Sequence, residues 1–181
     1  MRNRTRILLV LPCTLLAGCK SVSTKVEHNQ LVLRTDSTSV AVQLRGDGYF
    51  GTIGFVFINN SGGVVSQAGC GGPNPPIIEK RENGEWTAAY YPIVLLCLSV
   101  PDFTWDPGIT YRERVDFAAF KPGKNKAPEL RVDSINGVYR LHWAFAKGRD
   151  ATSKNAKRYD VSSNEFQIVL RSTAPPASNT R

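Results

Sequence analysis

Gly137-Val138-Tyr139-Arg140-Leu141-His142-Trp143-Ala144-Phe145-Ala146 is the stretch that decides the fold. Tyr139, Leu141, Trp143 and Phe145 recur at every second position. An extended chain carries them on one face and sends Arg140, His142 and Ala144 to the other, whereas a helix would scatter them round its circumference. The same period of two recurs in Val40, Val42 and Leu44, in Ile53, Phe55 and Phe57, and in Phe166, Ile168 and Leu170. Between these runs lie turn clusters: Gly46-Asp47-Gly48, Asn59-Asn60-Ser61-Gly62-Gly63, and a loop over residues 121–128. Asn83-Gly84 predicts a hairpin between Ile77–Arg81 and Trp86–Ala89, because both residues tolerate the positive φ of a tight turn. Ile93 to Val100 is an almost unbroken apolar run that reads as a strand buried on both faces, and Ile109 to Phe117 as the next strand. No stretch keeps a helical period over three turns. About seven to nine short strands at this spacing predict an all-β antiparallel sandwich or barrel.

The N-terminus carries an address. Arg2, Arg4 and Arg6 precede the apolar run Ile7 to Ala17, too short to span a bilayer as a helix. The run closes on Leu16-Ala17-Gly18-Cys19, which resembles the lipobox of bacterial lipoproteins. The expectation is a signal peptide over 1–18 and lipidation at Cys19, with residues 19–30 as a polar tether. The folded domain is expected over 31–171, ahead of a Pro/Ser/Thr tail at 172–181. Lys20 after the cysteine, in place of the aspartate that favours inner-membrane retention in that class, points to the outer membrane, facing the periplasm. Acyl chains at about 0.8 kcal/mol per buried CH₂ would make such an anchor stable.

Removing the signal lowers the formal charge from +8 to +5. Moderate basicity in the envelope suits anionic polymer or an envelope protein, and an exported address takes nucleic acid out of reach. Cys70 and Cys97 are left as a pair in an oxidising compartment, where a disulfide is the default. It would contribute roughly 3–4 kcal/mol by loop closure. A metal would need further ligands, and His28 and His142 have no ligand spacing around them. Neither a metal nor a cofactor is expected.

Gly46-Asp47-Gly48-Tyr49-Phe50-Gly51 matches GxGxxG, yet a strand follows where a phosphate site needs a helix N-terminus, so it reads as a hairpin turn. His142 falls in register opposite Leu141 and Trp143, with no nucleophile motif beside it, and reads as a surface strand residue. Glu79, Glu82 and Glu85, next to Lys80 and Arg81, read as solvated ion pairs. Trp143 and Phe145 belong to the core by register. Phe103 and Trp105 sit in Pro101–Gly108 without periodic reason to be buried. Two readings stay open, a loop that plugs the core and an exposed contact. Lys147, Arg149, Lys154, Lys157 and Arg158 fall in one segment with a single acid, either a solvated loop or a docking site for anionic polymer.

Asp133-Ser134-Ile135-Asn136-Gly137-Val138-Tyr139 resembles the tyrosine corner of immunoglobulin-like domains, in which the phenol bonds back to upstream backbone. Leu141 stands where antibody domains carry their second cysteine, so Cys70–Cys97 is not the usual inter-sheet bridge. Cys70-Gly71-Gly72, Glu79 to Trp86, Gly108 to Tyr111, Gly137 to Leu141 and Ser163 to Phe166 together resemble the bacterial immunoglobulin-like domains of cell-envelope lipoproteins, over about residues 50–170. The resemblance implies a sandwich fold and an address, and no reaction. The expectation is a non-catalytic binding domain. The second reading is an inhibitor of an exported hydrolase or proteinase, presenting a loop with Pro73, Pro75 and Pro76 beside the Cys70–Cys97 staple.

Overall fold

Two of the tight turns build hairpins with glycine where the backbone needs it. Gly46 at φ 59 opens the two-residue connection whose flanks pair as Arg45↔Gly48. Asn83 and Gly84, at φ 53 and 87, both take the positive φ of a type I′ turn and set Glu82 against Glu85. The computed structural model describes residues 31–69, 72–93 and 102–171. These form strands β1 (Leu31–Thr35), β2 (Ser39–Arg45), β3 (Gly48–Asn59), β4 (Val65–Gln67), β5 (Ile77–Glu82), β6 (Glu85–Tyr90), β7 (Phe103–Trp105), β8 (Thr110–Phe120), β9 (Gly137–Lys147), β10 (Arg158–Ser162) and β11 (Phe166–Arg171). The described residues contain no helix.

Eleven strands replace the expected seven to nine because the long strands change partners along their length. One edge of β3 pairs with β2 at residues 48–50 and with β1 at 55–59, while its other edge runs beside β8. Likewise β9 meets β11 and then β10 on one edge, and β5 and then β4 on the other. One edge of β3 and both edges of β9 are therefore shared between shorter strands whose breaks leave no mark in a period-two pattern. A second correction concerns pairing sense: β2 and β11 run parallel, so the sheet is mixed rather than antiparallel. It curls into a half-barrel.

Curling brings the apolar faces of β3 and β9 together. Phe55 meets Trp143 with ring centroids 5.4 Å apart, and Phe57 stacks on Phe145 at 4.6 Å. Trp105 closes the cluster edge-on against Phe57, Trp143 and Phe145. The segment 101–108, read as a loop, contains strand β7, which pairs with β4, and Trp105 is only 5% exposed. It plugs the core.

At the other end of β9 the phenol of Tyr139 donates to the Ile135 carbonyl at 2.7 Å. Lys80, 7% exposed, donates to the neighbouring Ser134 carbonyl at 2.8 Å and pairs with Glu82. The corner is thus closed by two buried donors from different strands. Burial raises the Tyr139 phenol well above its usual pKa.

The signal peptide, Cys19 and the tether, the tail, Cys70, Cys97 and most of the Ile93–Val100 run lie outside the described residues. Ile93 itself is 66% exposed and outside any strand.

Candidate anion-binding surfaces

The basic segment 147–158 joins β9 to β10 and is held to the body at several points. Arg149 pairs with Asp106 at 3.1 Å, the amide of Ala151 donates to Asp102, and the Gly148 amide donates to the Val64 carbonyl. Asp150 organises the turn by accepting from Thr152 and Ser153, and these bonds, Thr152's hydroxyl foremost, lower its pKa. Arg158 donates to the Ala151 carbonyl, and Lys157 lies over the Tyr159 ring. Two of the five bases, Lys147 and Lys154, have no side-chain partner among the described residues. The loop is a folded feature in which part of the charge serves its own structure. Phe103 is half-buried beside it, on β7.

A second basic surface escaped the sequence reading because it is assembled from four strands. Alternation places Arg34 of β1 and Arg112 and Arg114 of β8 on the outer face of β3, away from the aromatic core. Arg34 and Arg112 both pair in register with Val56, and Arg114 with Gly54. Arg45 of β2 and Arg171 of β11 lie on the same face, where Arg171, Gln43, Phe50 and Ala118 form one cross-strand row. All five arginines are exposed, and none pairs with an acid among the described residues. Among the described residues the acids on this face are Asp116 and Asp36, whose carboxylate lies over Gly54. Arginines separated by up to 137 positions along the chain show no cluster in sequence; only the alternation within each strand could have signalled it.

Part of this face is concave. The β2–β3 ladder ends at Gln43↔Phe50, and beyond it the strands border a cleft of about 470 Å³. Arg45 and Arg171 line one side. Arg45 is steered by its Nε and Nη2, which donate to Gln43 Oε1 at 3.1 and 2.6 Å. Opposite, Thr52 donates its hydroxyl to Asp116 at 3.0 Å. The Phe50 ring folds back over Gly48, where a Cβ would sit 2.7 Å from it, and meets Phe120 edge-on.

The remaining sequence candidates find quieter places. His142 faces Ser162 and Asp160 of β10, with Nδ1 3.4 Å from the Ser162 hydroxyl and Nε2 3.5 Å from Asp160. The trio has the composition of a catalytic triad. Its contacts are long and its carboxylate is 62% exposed, however, so it lacks the buried acid that orients the imidazole. Glu79 pairs with Arg140 of β9 at 2.6 Å and Arg81 with Glu165, in the connection between β10 and β11, at 2.9 Å, partners other than those expected. The Gly72–Pro76 segment lies half-buried or buried and is pinned by the Trp143 indole, which donates to the Asn74 carbonyl at 2.6 Å.

Comparison with family models, with curated proteins and with solved structures finds no match to this chain.

Proposed function

We propose that the chain is a lipid-anchored envelope protein whose immunoglobulin-like domain binds, without catalysis, to anionic envelope polymer. The fold assignment draws support from two antiparallel groups joined through one parallel pair, and from a tyrosine at the start of β9 bonded to upstream backbone. The anchor reading draws on Leu16-Ala17-Gly18-Cys19 behind its apolar run. The observation that carries the binding reading is the outer face of β3 and its neighbours. Five exposed arginines stand there against two aspartates. Guanidinium forks match carboxylate and phosphate groups two bonds at a time, so a flat arginine face suits a polymer that repeats such groups.

The test is capture of the detergent-extracted full chain on peptidoglycan and on lipopolysaccharide at low and high salt. Capture should fall as salt rises, since exposed charges are screened beyond about 8 Å at physiological ionic strength. The Arg34→Ser/Arg112→Ser/Arg114→Ser variant should lose it, while Lys154→Ser/Lys157→Ser/Arg158→Ser keeps most of it. The reverse order would move the site to the β9–β10 loop. Salt-independent capture would overturn the electrostatic reading. Intact mass of the extracted protein checks the anchor: an unmodified N-terminus at any residue other than Cys19 overturns it.

A further inference from the structure

We propose that the cleft between β2 and β3 binds a single acidic sugar residue, one carrying a carboxylate or a phosphate. This deepens the docking reading above and rests on its premise that the ligand is anionic. The cleft lies on the outer face where the β2–β3 ladder stops, and β2, β3, β8 and β11 all contribute to its lining. Its volume of about 470 Å³ lies within the span of small-molecule sites.

The walls differ in chemistry, and the difference defines the ligand. Arg45 and Arg171 on one side can together grip an acid group. Arg45 is already oriented by its two bonds to Gln43. An anion alone would need nothing more. The opposite side, however, carries Asp116, an acceptor that a bare anion would avoid and that a ring hydroxyl would seek. One of its oxygens takes the Thr52 hydroxyl, and the other has no donor among the described residues. The Phe50 ring, lying back over Gly48, adds an apolar surface against which the C–H face of a sugar can pack. Acid at one end, hydroxyls at the other and a C–H face between them describe an acidic sugar better than a fatty acid, a peptide or free phosphate.

Titration of the full chain in detergent with glucuronate, glucose 6-phosphate, glucose and inorganic phosphate, followed by NMR or calorimetry, tests the inference. Glucuronate or glucose 6-phosphate should bind, and the better of the two identifies the acid group. Glucose and inorganic phosphate should each bind more weakly by about tenfold or more, because each lacks one half of the contacts. Arg45→Gln, Arg171→Gln and Asp116→Asn should each weaken the acidic sugar by about tenfold while leaving the melting temperature in place. Arg81→Gln, on β5, should leave binding unchanged. Equal affinity for inorganic phosphate and the acidic sugars would overturn the sugar assignment, and unchanged affinity in the arginine variants would overturn the site. A monosaccharide is too small to extend from the cleft to the Arg34–Arg112 row, so failure here leaves polymer capture by that row standing, and failure of polymer capture leaves this titration decisive for the cleft.

Discussion

Asn59, fully buried at the end of β3, donates its amide to the Trp105 carbonyl at 2.9 Å. The same amide reaches the Gly63 carbonyl, and its oxygen accepts from the amide and hydroxyl of Ser61. One side chain therefore shapes the 59–63 turn and seats β7. Asn59→Ala would remove the side-chain donor to the buried Trp105 carbonyl and leave the Gly63 carbonyl to the Ser61 hydroxyl, with an expected loss of about 1–3 kcal/mol in urea denaturation. Trp105 fluorescence in the native state should shift to longer wavelength as β7 loosens. An unshifted spectrum with undiminished stability would mean that β7 is held by packing alone.

Tyr139→Phe keeps the ring and removes the donor to the Ile135 carbonyl. Because Lys80 satisfies the adjacent Ser134 carbonyl and not Ile135's, no second donor compensates. The expected destabilisation is about 1–3 kcal/mol, read from denaturant midpoints. A change of a few tenths would remove the corner from the account of stability.

Gly137 holds φ at 152, and a Cβ there would sit 2.8 Å from Lys80 Cε. Gly137→Ala combines backbone strain with displacement of a buried lysine stem, and about 1–3 kcal/mol should be lost. The double variant Gly137→Ala/Lys80→Ala relieves the contact but not the strain. It should recover part of any loss that comes from the clash, measured against Lys80→Ala alone.

Alkaline pH should unfold the protein through its phenols. Burial raises the pKa of Tyr90 and Tyr139 above 10.0 and, with Glu113 alongside, pushes Tyr111 up to about 12. A raised pKa means that the folded state favours the protonated phenol. The stabilisation is complete below about pH 10 and is lost as pH climbs through the folded values. Melting temperatures should be level from pH 8 to 9.5 and fall by pH 11. Tyrosinate absorbance should show Tyr90, Tyr111 and Tyr139 ionising only as the fold opens. Ionisation of these three phenols ahead of unfolding would contradict the burial of their rings.

The extent to which the fold was legible can be followed residue by residue. Tyr139, Leu141, Trp143 and Phe145 disclosed their buried face by spacing alone, and Asn83-Gly84 disclosed its hairpin, because alternation and turn chemistry are properties of neighbouring residues. Whether Trp105 was core or contact could not be read locally, since its burial depends on Asn59, 46 positions away, and on rings from β3 and β9. The partner changes along β3 and the parallel pairing of β2 with β11 likewise arise from strands meeting across the whole chain. The same physics governs the candidate sites. A run such as Lys147–Arg158 announces its charge in one dimension, though which of its bases are occupied by Asp106 and Ala151 is a tertiary matter. The arginine face is legible only in three dimensions, because a sheet gathers every second residue of distant strands onto one surface. Sequence by itself determined the β class, the turns and the inner face; tertiary structure alone decided which strands became neighbours, and with them where the arginines converge.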